Sequence, residues 1–205
     1  MTEASGPSKR EKGMQNARRL NKAYGDWFGS MITKAADEPG ERKAVLFVTL
    51  TFERDGSGRR RRQAEGQPLG QEEMLAFNHL YNRVCRRLVG RNFHRESHSD
   101  LLPKVVAFID AEGSKFWRTR GELENLHIHS IWVVPATWTK ELKATLEDHL
   151  ARQHSEVRFD AIDVREIEPR DTQCVNRVAG YSSKLISFNQ RDLGIAEDFR
   201  VYPTP

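Results

Sequence analysis

The chain has 205 residues, 30% of them charged and 38% hydrophobic, with 33 basic against 29 acidic side chains and a net charge of +4. That length suits one domain or one domain with a tail, and no apolar run approaches the roughly 20 residues of a membrane span, which excludes an integral membrane protein. The polar opening MTEASGPSKREKG carries no apolar signal core, and Cys85 and Cys174 are too few for a disulfide scaffold, so a cytoplasmic protein with buried free thiols is expected.

Residues 1 to about 13 read as disordered, rich in polar and small side chains. From Met14 to about Ala36, the spacing of Leu20, Tyr24, Trp27, Phe28, Met31 and Ile32 predicts a helix with one apolar face, interrupted by Gly25 and Gly29. AVLFVTLTF (44–52), dense in β-branched and aromatic residues, predicts a central strand. A polar loop with the run Arg59, Arg60, Arg61, Arg62 follows. Leu75, Ala76, Leu80, Val84 and Leu88 then mark a helix from Glu72 to about Val89. This helix begins a second basic set, Arg83, Arg86, Arg87, Arg91 and Arg95. VVAFIDAE (105–112) and LHIHSIWVV (126–134) predict two more strands, joined by a loop that contains Phe116, Trp117, Glu122 and Glu124. Thr139 is the expected N-cap of a second helix through Leu142, Leu146 and Leu150. Val157 to Ile167 predicts a fourth strand, and Asp171 opens a third helix through Val175, Val178, Leu185 and Ile186.

The order after the first helix is β-α-β-β-α-β-α. Its first six elements match an α+β, ferredoxin-like split βαβ arrangement: an antiparallel sheet with helices on one face and the other face left for a site. The chain divides into a tail and accessory helix over 1–40, a main domain over 41–190 and a C-terminal tail over 191–205.

Side chains alternate along a strand, so His127 and His129 share a face, while Ile128, Ser130, Trp132 and Val134 point to the helix-covered core. Two imidazoles so placed can hold one metal ion. An acid at the end of the preceding strand would complete a set of three ligands with open positions for water and substrate. Asp110 and Glu112 both qualify; Glu112, at the strand end beside Gly113, is preferred. Thr49 and Thr51 can line the same face. Tyr181 and Lys184 are three apart on the last helix and so neighbours on its surface, where an ammonium can stabilise phenolate or contact a phosphate. Tyrosine is a known covalent nucleophile.

Taken together, FVTLTF (47–52), LHIHSIWVV (126–134) and YSSK (181–184), in that order on that layout, resemble the HUH endonucleases of the rolling-circle replication initiator (Rep) type, over roughly residues 44–188. The resemblance implies that a single tyrosine, Tyr181, attacks a DNA phosphate at a single-stranded origin hairpin, leaving a 5′-phosphotyrosine link and a free 3′-hydroxyl. It implies a divalent metal, Mn2+ or Mg2+, on His127, His129 and an acid of the preceding strand (Glu112 or Asp110), with Lys184 near the scissile phosphate. Helicase and polymerase would come from the host. Arg59–Arg62 and the arginines between Arg83 and Arg95 would contact DNA phosphates, and Trp117 would stack on an unpaired base.

A single-tyrosine transposase shares the histidine strand and the helix-borne tyrosine. A non-catalytic single-strand-binding module would use the same open sheet face, but it wants aromatic residues where this chain has two histidines. A non-haem iron oxygenase can be built on two histidines and an acid, although this chain is too helical for the usual all-β barrel.

Overall fold

The computed structural model of the chain describes residues 8–52, 70–112, 124–152, 159–188 and 199–203. Helix α1 spans Lys9–Ala36, strand β1 Lys43–Phe52, helix α2 Gln71–Leu88, strand β2 Lys104–Glu112 and strand β3 Glu124–Pro135. Helix α3 spans Thr139–Ala151, strand β4 Phe159–Ile167, helices α4 and α5 Thr172–Ser182 and Lys184–Phe188, and strand β5 Phe199–Tyr202.

The sheet is antiparallel throughout, in the order β4-β1-β3-β2-β5. Its first four strands run 4-1-3-2 with α2 and α3 as crossovers, compatible with the ferredoxin-like split βαβ fold. The fifth strand comes from the stretch expected to be a tail, and pairs Phe199–Tyr202 with Phe108–Val105.

One sheet face carries Leu46, Leu50, Ile109, Ile128 and Trp132 under the apolar stripes of α2 (Phe77, Leu80, Val84) and α3 (Leu142, Leu146). Ser130 is buried with them and accepts a hydrogen bond from the Trp132 indole at 2.9 Å. Gly70 opens α2 at φ +80°, and a Cβ there would lie 2.8 Å from the Ile109 side chain, so a residue without a side chain is needed.

The opposite face, expected to stay open, is roofed. Phe28 and Ile32 of α1, Val175 and Ala179 of α4 and Ile186 of α5 pack on Val45, Phe108, Ile131 and Val133. The Phe28 ring meets Phe108 edge-on at 4.7 Å between centroids. Burying these side chains stabilises the roof by about 1.5–3 kcal/mol for each large one. His129 stands on this same face beside Phe47, with 5.3 Å between ring centroids.

Local differences from expectation have local causes. α1 starts at Lys9 because Ser8 and Glu11 form a capping box: Ser8 Oγ accepts from Glu11 N at 3.3 Å and Glu11 Oε2 from Ser8 N at 2.6 Å. Gly25 and Gly29 do not interrupt α1; both lie where it crosses α4. Thr139 is the first residue of α3 rather than its cap, which is Trp138, whose side chain makes no capping bond. Asp171 caps α4 as expected, accepting from Cys174 N at 2.9 Å. The expected single last helix ends at Ser182 and resumes at Lys184. Cys85 is buried, and burial pushes its thiol up to about 11, whereas Cys174 is only half-buried. No helix among the described residues is long and apolar enough to cross a membrane.

His149 of α3 packs on the Phe159 ring at 5.6 Å, and burial, with the nearby charge of Arg83, pushes its imidazole down to about 4. The unfolded chain, near the ordinary value of about 6.5, therefore binds the extra proton between about pH 6.5 and 4, and stability falls as the pH drops through that window. The loss of urea stability between about pH 7 and about pH 5 is expected to be smaller in His149→Gln than in the wild type. An equal loss in both would assign the titration to another group.

Candidate metal centre

The β2–β3 register sets Asp110 opposite His127 and Phe108 opposite His129, while the β1–β3 register sets Thr49 opposite His129. Residues directly opposite in an antiparallel pair share a face, so these two pairings bring a carboxylate, two imidazoles and a hydroxyl together. Asp110 is fully buried and His129 nearly so, while His127 stays partly accessible.

Each histidine is oriented through Nδ1. His127 Nδ1 lies 2.9 Å from the Asn125 carbonyl, which can only accept, so this nitrogen carries the proton. His129 Nδ1 lies 3.2 Å from Thr49 Oγ1. Both Nε2 atoms then face Asp110 Oδ2, at 3.1 Å from His127 and 3.4 Å from His129. Outer partners of this kind are what fix the ring orientation of metal-binding histidines.

Lys184 completes the cluster, its Nζ 2.6 Å from the same Asp110 oxygen. Burial works to raise the Asp110 carboxyl, but the close imidazoles of His127 and His129 and the charge of Lys184 outweigh it and hold the group well below the usual carboxylate range. His129 is shifted below its ordinary value, chiefly by burial.

Two observations fit this cluster to a cation. In the neutral form of His127, with the proton on Nδ1, the Nε2 lone pair faces the Asp110 carboxylate, an arrangement that a cation held between them would favour. Asp110 Oδ1 and His129 Nε2 are also buried without a hydrogen-bond partner, a costly state for polar atoms. The ligand atoms of Asp110, His127 and His129 all lie within 4.8 Å of one another. Two imidazole nitrogens and one carboxylate suit a divalent transition ion at least as well as magnesium, which prefers oxygen.

The preferred carboxylate, Glu112, is not part of the cluster. The register shifts between Asp110 and Glu112, so that Glu112 pairs with Glu124 and β3 holds one extra residue there. Asn125 adopts φ +49° at this bulge, and its amide donates to the exposed Glu112 carboxylate. The bulge thus draws Glu112 away to the strand end and leaves Asp110 as the acid beside the histidines. Asn125, which orients His127 through its carbonyl, carried no signal at the sequence level beyond the tolerance of asparagine for positive φ.

Tyr181 stands in the last turn of α4, half-exposed, with its ring centroid 5.0 Å from that of His129. Lys184 Nζ lies 4.2 Å from the same ring centroid. The helix break at Ser183 does not part the two residues, and Lys184 lies against both the phenol ring and the Asp110 carboxylate.

Arg59, Arg60, Arg61, Arg62, Phe116, Trp117 and Glu122 lie outside the described residues. Arg83, Arg86, Arg87 and Arg91 line a cavity of about 670 Å³ between α2 and α3, on the sheet face opposite the histidines. There Arg83 pairs with Asp148 at 2.5 Å and Arg87 with Glu141. These arginines therefore do not adjoin the metal cluster. No protein-family model, curated protein or solved structure matches the chain.

Proposed function

We propose that the chain is a metal-dependent, single-tyrosine DNA strand-transferase of the HUH type, nicking and rejoining single-stranded DNA at an origin hairpin to initiate rolling-circle replication. One observation carries this reading: an exposed tyrosine whose ring lies 5.0 Å from that of a buried histidine of a two-histidine, one-aspartate cluster, with a lysine bridging the two. A structural tyrosine has no need of such neighbours.

In the proposed reaction, Tyr181 Oη attacks the phosphorus of a phosphodiester. A new P–O(Tyr) bond forms, the bond from phosphorus to the 3′ oxygen breaks, the phenol proton is lost to a base, and the departing 3′ oxygen takes up a proton. The 5′ phosphate stays on the protein and the bond energy is conserved, so the reverse attack by a 3′-hydroxyl rejoins strands without ATP. His127, His129 and Asp110 would hold Mn2+ or Mg2+, which supplies Lewis-acid stabilisation to the phosphoryl oxygens. Thr49 and Asn125 keep the imidazoles aimed. Lys184 places its ammonium beside the attacking ring, where it can offset charge developing on the phenol or the phosphate. Strand separation and synthesis would be supplied by a host helicase and polymerase.

A pool of 3′-labelled single-stranded hairpin oligonucleotides with randomised loops, incubated with Mn2+ and run on a denaturing gel, tests the reading. A labelled protein adduct is expected, mapping to Tyr181 by mass spectrometry and reduced about a thousand-fold or more in Tyr181→Phe. An adduct that survives in Tyr181→Phe would remove Tyr181 as the nucleophile.

A further inference from the structure

Helix α1 has two halves with different surroundings. Its C-terminal half buries Phe28 and Ile32 on the sheet. Its N-terminal half presents Met14, Arg18, Asn21 and Gly25 at spacings of four, three and four, which place them on one face. This face and α4 enclose a groove of about 670 Å³, and Tyr181 and Lys184 are among its lining residues. The groove exists because the helices touch at Gly25 and Gly180, where the two Cα atoms come close and Asn21 Nδ2 donates to the Gly180 carbonyl at 2.6 Å.

The groove walls are basic. Lys22 is neutralised by Asp26 at 2.6 Å, and Asp26 also accepts from Asn176 at 3.4 Å. Among the described residues Arg18 has no ion pair, and Arg177 reaches only the Cys174 sulfur, at 3.6 Å. Two exposed guanidinium groups thus flank a channel that holds the proposed nucleophile, and a guanidinium fork matches phosphate geometry.

We infer that the α1–α4 groove is the track of the single strand next to the scissile phosphate, with Arg18 and Arg177 on its phosphates. α1, which lies outside the split βαβ unit, is then part of the substrate site. The inference rests on the endonuclease reading, which puts a phosphodiester at Tyr181.

Fluorescence anisotropy of a labelled oligothymidylate, measured without divalent metal over a salt series, tests it. Each phosphate contact contributes about 0.7 to the logarithmic salt slope for single strands, which is about five-fold in affinity at about 0.1 M salt. Arg18→Gln and Arg177→Gln are each expected to weaken binding about five-fold and to lower the slope by about 0.7, and the double variant to weaken it about 25-fold. Lys140→Gln, an exposed charge on α3, controls for net charge and should leave the slope unchanged. Unchanged affinity in both arginine variants, or a wild type that does not bind the oligonucleotide, overturns the inference. If the wild type forms a Tyr181 adduct while the arginine variants bind normally, the groove assignment fails and the endonuclease reading stands. If no adduct forms but the arginine variants lose binding with a shallower slope, the groove assignment stands and the catalytic reading fails.

Discussion

Asp110→Asn is expected to lower the affinity for Mn2+ by at least about 100-fold, whereas Glu112→Gln leaves it within about two-fold. Losing even an outer partner of a metal ligand costs about 10–100-fold, and Asp110 is placed as a direct ligand. Titration with Mn2+ alone, followed by electron paramagnetic resonance, reads this without any DNA present. The variant carries a second cost. The Lys184 ammonium is nearly buried against Asp110, and removing one partner of a buried ion pair costs about 3–5 kcal/mol. Thr49→Val keeps the buried ion pair and loses only the His129 orientation, so it separates metal loss from unfolding: a folded Thr49→Val protein with weakened Mn2+ binding places the metal on this cluster. Retention of full Mn2+ affinity in a folded Asp110→Asn protein would take the cluster out of the reaction.

Acid stability follows from the same carboxylate. Its folded value lies below the ordinary one near 3.9, so the unfolded chain binds more protons and stability rises with pH across that window. The contribution is present above the ordinary carboxylate value and is lost as the pH falls below it. Asp110→Asn should therefore show a flatter acid transition than the wild type.

Gly25→Ala is expected to destabilise the protein by about 1–3 kcal/mol, although the same change in an open helix gains about 1 kcal/mol. A Cβ at Gly25 would meet the Asn176 carbonyl oxygen at 2.9 Å and the Gly180 Cα at 3.0 Å, both backbone atoms that cannot swing aside. The helices must part, and α4 carries Tyr181 one residue beyond the contact. Gly180→Ala is the contrasting case in the same crossing. Its Cβ would find the nearest atoms at 3.6 Å, ordinary van der Waals contact, so stability should hold or improve. Urea denaturation of the two variants, with adduct yield under folding conditions, checks both. Equal stability of Gly25→Ala and the wild type would mean that the crossing is looser than these distances.

The alternation of Ile128, Ser130, Trp132 and Val134 against His127 and His129 is a property of strand pleating, so which residues faced the core and which faced the site was legible without coordinates. The Ser8–Glu11 capping box was legible too, but it lay in a stretch whose polar composition read as disorder. The choice between Asp110 and Glu112 was not legible. They lie two apart on one strand, and strand periodicity alone puts them on the same face. Only a bulge in the partner strand, set by Asn125, separates them. Gly25 and Gly29 read as helix interruptions because local propensity penalises glycine, and the compensating contact with α4 is more than 140 residues away in the chain.

The sequence by itself determined the order of the first four strands and the helices between them, the side of β3 that carries the histidines and the pairing of Tyr181 with Lys184, because each depends on periodicities of two or on neighbours three or four residues apart. Tertiary structure alone decided the acid that joins the histidines, the lysine that bridges acid and phenol, and the enlistment of α1 as a wall beside the tyrosine. Those depend on strand register and on how closely two helices can approach, and both are set by contacts between residues far apart in the chain.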